Sequence, residues 1–334
     1  MDPGHNLIGG WVRDARVRSA AFQTVVAVAA IALVWWLAHN TINNLAQRGI
    51  TVGFDFLGRA ARFPISESVL PYSSVDTFAW AFVVGLGNTL FASALIIVLA
   101  TLLGFATALA RRSRNPLARG IGAAFVETMR NTPLVVQLLF WYAMVTLGLP
   151  HPHDALNPLP GVYLTDRGLY IPWPRIADFS FAMEYPTLGR FNYSGGLALT
   201  PEFTAMLVGL VFYSAAFVGE IIRGGIDAVA RGQWEAGRAL GLPESLVLRR
   251  IIMPQALRVI IPPMTSQYIN IVKNTTLALV VGYPDIAFVT ATTINQTGQA
   301  VEGILLLMIV FLVISIGGSL LMNWYNRRMA LTVR

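Results

Sequence analysis

The chain has 334 residues, of which 55% are hydrophobic and only 12% are charged. A soluble domain carries about 25% charged residues, and the mean hydropathy here is +0.60. This composition argues against a water-soluble enzyme and against a nucleic-acid partner, although the net charge is +7. Because the chain contains no cysteine, it has no disulfide framework, thiolate metal site or thiol nucleophile.

Three long stretches contain no charged residue: 77–110, 131–153 and 303–326, of 34, 23 and 24 residues. A helix needs about 20 apolar residues to cross a hydrocarbon core about 30 Å thick. We therefore predict an all-α, polytopic membrane protein with about six transmembrane helices, at 22–38, 85–110, 121–148, 203–222, 257–283 and 303–324. The first span follows three arginines but precedes no small-residue cleavage site, which indicates an uncleaved anchor helix.

Arginine is distributed unevenly between the segments that join these spans. Seventeen arginines and six acids lie in 1–21, 111–130, 223–258 and the tail, whereas the other connections contain six arginines and ten acids. The positive-inside rule places the first group in the cytosol, together with both termini. Glu220 and Lys273 are left within the membrane or at its edge.

Two outer segments differ in character. The loop 149–202 is rich in Pro, Gly, Tyr and Trp, which indicates a structured polar loop with room for short strands. The segment 40–72 is mixed, and an amphipathic piece lying at the membrane interface is predicted around 54–63. The chain shows no internal repeat, which counts against the inverted repeats of many secondary carriers.

The cytosolic stretch 223–256 has the strongest local pattern. Residues 232–240 have a helical pattern. Gly241 is expected to end this helix, because glycine adopts positive φ at little energetic cost. Pro243 suits the first turn of a second helix. A helix, a glycine turn and a second helix are therefore predicted. This element is either an amphipathic loop resting on the inner leaflet or a knob that fits a soluble partner.

The spacing in this stretch resembles the EAA signature of permease subunits of bacterial ABC importers, E-A-A-x3-G-x9-I-x-L-P. Here Gly237 replaces the second Ala and Met253 replaces Leu. The resemblance implies the transmembrane domain of a type I ABC importer, with coupling helices that dock on a cytosolic ATPase. It implies that four residues lie at that contact: Glu235, Ala236, Gly237 and Gly241. Pro254 would end the element before the next span.

Further stretches, 85–111, 126–142, 216–236 and 272–282, resemble the polar amino acid branch of these permeases, which serves histidine, glutamine and arginine. The anchor helix and the long outer loop are most similar to the Q-type subunit of general L-amino acid permeases. The implied organisation is 1–84 as cytosolic N-terminus, anchor and outer segment, 85–325 as transmembrane domain, and 326–334 as cytosolic tail.

That resemblance also implies the partners and the location. They are a second, non-identical permease, an ATPase dimer and a periplasmic amino-acid-binding protein, with the complex in a bacterial inner membrane. ATP and Mg²⁺ would be bound by the ATPase, since the only lysine, Lys273, is not preceded by a Walker A glycine loop. No cofactor is expected in this chain.

Several polar residues in the spans are candidates for the substrate pathway. Lys273 lies in the otherwise apolar stretch 259–282, where a cation costs roughly 2.5–3.5 kcal/mol unless it meets water or a counter-ion. With its neighbours it could bind the carboxylate of an amino acid; it could equally pair with Glu220 while the neighbours pack between helices. The full candidate set is Lys273, Asn274, Thr275, Thr276, Arg130 and Gln137.

Two other classes of function remain as alternatives. An ion-coupled secondary amino-acid carrier would usually need carboxylates within the membrane, and only Glu220 qualifies. A membrane-embedded hydrolase would need a nucleophile or metal constellation within the spans. Neither catalytic nor metal-ligating residues are predicted, and His151 and His153 are interpreted as loop residues.

Overall fold

The computed structural model describes residues 15–47, 53–177 and 180–329. These residues form ten α-helices: α1 (Ala15–Gln47), α2 (Phe78–Arg112), α3 (Pro116–Asn131), α4 (Leu134–Gly148), α5 (Pro201–Asp227), α6 (Arg231–Ala239), α7 (Glu244–Val247), α8 (Met253–Asn274), α9 (Ile286–Thr297) and α10 (Ala300–Met329). A π-helical turn (Leu248–Ile252) joins α7 to α8, and a 3-10 helix (Thr275–Val281) follows α8.

Four of these helices, α1, α2, α5 and α10, are long and apolar enough to cross a membrane alone. Two bent pairs pass the same test together. In one, α3 and α4 meet at 108°, and in the other the segment Glu244–Val281 meets α9 at 50°. With each bent pair taken as one span, the described residues supply up to six spans, which agrees with the predicted number.

The third predicted span, 121–148, is broken at Pro133 and is not one continuous helix. It is divided between α3 and α4, because Pro133 has no N–H to donate and disfavours helical geometry at the residue before it. Thr132 accordingly has extended backbone angles, φ −100° and ψ 131°. The Gln137 amide donates to the carbonyls of Met129 at 2.8 Å and Thr132 at 3.1 Å, which satisfies backbone groups that the break leaves free.

Helix α9 lies in the segment 284–302, for which the sequence predicted only an outer connection. Asp285 caps its first turn by accepting from the Phe288 N–H at 2.9 Å. The helix lies against α2, where Gly85 allows close approach: a Cβ there would lie 2.9 Å from Cγ2 of Val289. At 12 residues the helix is too short to cross a membrane alone, so the sequence did not distinguish it from a connection.

The core of the bundle is the crossing of α2 and α5. A Cβ at Gly104 would lie 2.6 Å from a methyl carbon of Val218, and one at Gly219 would lie 3.1 Å from the carbonyl oxygen of Gly104. Small residues at such a crossing let two helices approach to backbone contact. Leu210 and Met206 of α5 are fully buried in the outer half of this core.

The outer loop between α4 and α5 contains short antiparallel strands. One sheet has the order β1–β2–β3–β8, and two hairpins pair β4 with β5 and β6 with β7. The strands are β1 (Leu156–Leu159), β2 (Val162–Thr165), β3 (Gly168–Ile171), β4 (Trp173–Ala177), β5 (Ser180–Glu184), β6 (Thr187–Leu188), β7 (Tyr193–Ser194) and β8 (Leu197–Leu199). The structured polar loop predicted here is therefore present.

The amphipathic interfacial piece predicted around 54–63 is absent from the described residues 53–77. A single 3-10 turn, Asp55–Gly58, occurs instead. Phe56 is fully buried and Phe63 is 4% exposed, in a cluster with Phe78 at the start of α2. The apolar residues that suggested a lipid-facing surface thus pack inside the protein, a choice that periodicity alone cannot make.

Candidate coupling elbow and substrate pathway

The helix, glycine turn and second helix predicted after α5 are present at residues 231–252, which we call the elbow. Gly241 has φ +70°, in the left-handed region that favours glycine. The N–H of Gly241 donates to the Arg238 carbonyl at 2.9 Å, and the N–H of Leu242 donates to the Gly237 carbonyl at 3.2 Å. These bonds close the end of α6 and set the angle at which α7 leaves.

The packing around Gly237 explains why glycine replaces the second alanine of the EAA pattern here. It is buried, and a Cβ at this position would lie 2.7 Å from Cγ2 of Val247 and 2.9 Å from its Cγ1. Val247 is itself fully buried. Gly237 therefore lies inside the elbow, between its two helices, while Glu235, Ala236 and Gly241 are exposed.

Replacing Gly237 by alanine is expected to destabilise the elbow. Overpacking costs about 1–3 kcal/mol, which outweighs the gain of about 1 kcal/mol from replacing glycine in a helix. The melting temperature of the detergent-solubilised protein should fall, and adding Val247→Ala should recover part of the loss. Gly232→Ala is the matched control, since a Cβ there has no atom within 4 Å; equal melting of all three variants would contradict this packing account.

The elbow is attached to the membrane helices through apolar side chains. Val247 and Ile252 are fully buried and pack with Ile222, Ile226 and Ala256 of α5 and α8. Pro254, at the start of α8, is exposed. The elbow thus presents one face outward while its opposite face continues the protein core.

An ion-pair cluster surrounds Glu220 near the end of α5 that leads to the elbow. Arg223, three residues further along α5, pairs with it at 3.0 Å. Arg111 of α2 contacts the same carboxylate, and Arg130 lies 3.9 Å from it. Arg130 also lies over the ring of Phe217, 5.1 Å from its centroid, and no ion pair joins it to Glu127 among the described residues.

The substrate-pathway candidates do not form one site. Lys273 is exposed in the last turn of α8, with no ion pair to Glu220 or to any other described residue. The hydroxyls of Thr275 and Thr276 donate to backbone carbonyls at 2.8 and 2.6 Å, and Asn274 is half-buried. Within the described ranges, no hydrogen bond or ion pair joins this group to Arg130 or Gln137.

A family model described as binding-protein-dependent transport system inner membrane component matches residues 100–331. The chain belongs to this family. The matched region contains the elbow and every pathway candidate. It follows that the chain is a membrane subunit of a transporter rather than an enzyme.

Relatives over nearly the whole length agree. AapQ of Rhizobium johnstonii, a general L-amino acid transport system permease protein, is 37% identical to this chain. The alignment covers 96% of this chain and 94% of AapQ. YhdX of Escherichia coli, which carries the name of an amino-acid ABC transporter permease, is 43% identical over 95% of both chains. The resemblance inferred from the EAA spacing is thereby confirmed.

A solved structure of an amino acid ABC transporter with histidines is 25% identical and covers 75% of this chain and 95% of its own, with a TM-score of 0.57. The MetNI methionine ABC transporter, at 17% identity and a TM-score of 0.51, shares the fold. The type I importer fold predicted from the sequence is therefore confirmed for this member of the inner membrane component family.

Sequence reasoning missed two features of the family's characteristic loop in this chain. Leu240, beside the glycine turn, is 75% exposed on the elbow. Trp234 lies under the guanidinium of Arg112. The adjacency of Leu240 to Gly241 could have indicated the first; the second depends on a contact between distant segments.

Proposed function

We propose that the chain forms the translocation pathway of an ATP-driven importer of L-amino acids together with a second, non-identical permease. The names of its relatives support the substrate class: AapQ is named for general L-amino acid transport, and BztB of Rhodobacter capsulatus, 32% identical over 97% of this chain, for glutamate, glutamine, aspartate and asparagine. A periplasmic protein would deliver the amino acid to the outer side.

The observation that carries the mechanism is the elbow with its free outward face. Glu235, Ala236 and Leu240 are exposed, and Glu235 has no ion pair among the described residues. An ATPase subunit would bind this face, and an ATPase dimer would hold ATP and Mg²⁺. Closure of that dimer on ATP would displace the elbow and, through its apolar attachment, the cytosolic ends of α5 and α8.

The arginine distribution supports a cytosolic elbow and cytosolic termini, with the loop 149–202 on the periplasmic side. In that orientation the elbow meets an ATPase and the outer loop meets the delivering protein.

The test is reconstitution in liposomes of the chain, the second permease, the ATPase and the binding protein. ATP-dependent uptake of a radiolabelled mixture of L-amino acids is expected, and none when the ATPase is left out. Uptake driven by a proton or sodium gradient without the ATPase would instead establish the ion-coupled carrier and contradict the proposal.

Lys273 is the pathway residue we propose to test first, because it is exposed and unpaired within the described chain. Lys273→Ala is expected to lower ATP-driven uptake by about tenfold through loss of a charge-assisted contact to the substrate carboxylate. Lys273→Arg should retain part of the rate. Asn270→Ala, an exposed polar position on the same helix, is the control, and unchanged uptake by Lys273→Ala would assign the lysine a structural role.

A further inference from the structure

Arg112 joins three elements through one side chain. It is the last residue of α2, its guanidinium contacts the carboxylate of Asp227 at the end of α5, and it lies 5.6 Å from the ring centroid of Trp234 on α6. Its side chain is 28% exposed. The ends of two membrane helices and the first helix of the elbow therefore meet at this guanidinium.

The chemistry of arginine suits this position. A planar guanidinium can pair with a carboxylate through its edge and stack on an indole through its face, whereas a lysine ammonium provides a point charge without a stacking plane. The carboxyl end of α2 also favours a cation, because the helix dipole is negative there. Asp227 is held from its own helix by Arg223 at 2.9 Å, so the partner of Arg112 is fixed in place.

On this side, the elbow also contacts the bundle through Trp234, which packs against the apolar cluster that contains Ala108 of α2 and Ile226 of α5. A polar cavity of about 500 Å³ lies between the elbow and the bundle, lined by Arg112, Asp227, Trp234, Glu235 and Glu244 among others. Glu244 at the start of α7 pairs with Arg114 at 2.8 Å, but both side chains are largely exposed, and exposed pairs contribute little. Arg112 is thus the main polar contact by which α6 reaches α2.

We propose that Arg112 is a positioning residue that transmits displacement of the elbow to α2. The inference rests on the proposed docking of an ATPase at the elbow. The apolar attachment through Val247 and Ile252 moves α5 and α8 with the elbow, and the contact of Arg112 with Trp234 adds α2. When Arg112 is replaced, the exposed residues Ala236 and Leu240 of the elbow, which do not line the cavity, are unchanged. The ATPase therefore still binds and hydrolyses ATP, but the membrane helices move less with the elbow.

The experiment uses the complete four-component complex in liposomes and measures both ATP hydrolysis and uptake of radiolabelled L-amino acids. Arg112→Gln and Trp234→Leu are expected to lower uptake per ATP hydrolysed by about fivefold. Arg112→Lys and Trp234→Phe, which keep the charge or the ring, should lie between these variants and the wild type. Arg119→Gln, an exposed arginine of α3 with no ion pair among the described residues, is the control.

An unchanged ratio of uptake to hydrolysis in Arg112→Gln would overturn the proposal, and so would a parallel fall in both, which a merely structural role would produce. Failure of the docking proposal has a different signature. In that case Glu235→Lys would retain full hydrolysis and full uptake, whatever the behaviour of the Arg112 variants.

Discussion

Glu235→Lys is expected to abolish ATP-driven uptake and the stimulation of the ATPase, while the chain still inserts into the membrane. Glu235 is exposed and forms no ion pair within the described residues, so its replacement removes no internal contact. At an interface, a reversed charge leaves the partner's complementary group unpaired and buried, which weakens binding by more than about tenfold. The change therefore acts on docking rather than on folding.

Gly241→Asp should have the same outcome by a different route. The position has φ +70°, where a side chain costs roughly 1–2 kcal/mol, and the new carboxylate would stand beside the exposed Leu240. Gly241→Asn separates the two causes, because asparagine has nearly the same shape and backbone preference as aspartate but adds no charge.

Both variants are measured for membrane abundance, co-purification of the ATPase, ATP hydrolysis and uptake. Glu127→Lys, at an exposed acid of α3, controls for charge reversal at the cytosolic side. Normal ATP-driven uptake by Glu235→Lys and Gly241→Asp together would refute the docking role of the elbow.

Glu220→Gln is expected to produce the largest loss of stability. Glu220 is 19% exposed and accepts contacts from Arg111, Arg130 and Arg223. Without its charge, three guanidiniums lose their common counter-ion. Because the cluster is partly exposed, we expect a loss of about 1–3 kcal/mol, between the values for exposed and for buried ion pairs. Arg223 keeps Asp227 as a second partner, which places the expected loss towards the lower end of that range.

The loss should appear as a lower melting temperature in detergent and as reduced abundance in membranes. Glu127→Gln is the matched control, because that carboxylate is exposed and unpaired in the described chain. If Glu220→Gln has the same melting temperature as the wild type, the cluster contributes no stability and its arginines are solvated by water.

The sequence predicted the elements that depend on local chemistry. Charge-free stretches predicted α2 and α10, because a charge within lipid is costly whatever the fold. Glycine and proline predicted the elbow, since Gly241 has the backbone geometry that only a glycine adopts cheaply. The exposed positions of Glu235 and Ala236 agree with the expected docking surface.

Features that depend on contacts between distant residues could not be predicted in this way. Glu220 pairs with arginines of α2 and α3 that lie about 90 to 110 positions earlier in the chain. No periodicity in the sequence predicts these ion pairs. The inward position of Gly237 depends on Val247, ten residues further on. The burial of α9 likewise depends on its packing against α2, where Gly85 lies close to Val289, about 200 positions away in the chain.

The near-contact of backbones at Gly104 and Gly219 limits how the subunit can change shape. A rotation of either helix about its axis would drive Val218 into the opposite backbone, so α2 and α5 are held together at this crossing, whereas the end of α2 at Arg112 lies beyond it. The aqueous passage therefore has to open and close along a seam outside this pair, through relative movement of the remaining helices or of the neighbouring subunit.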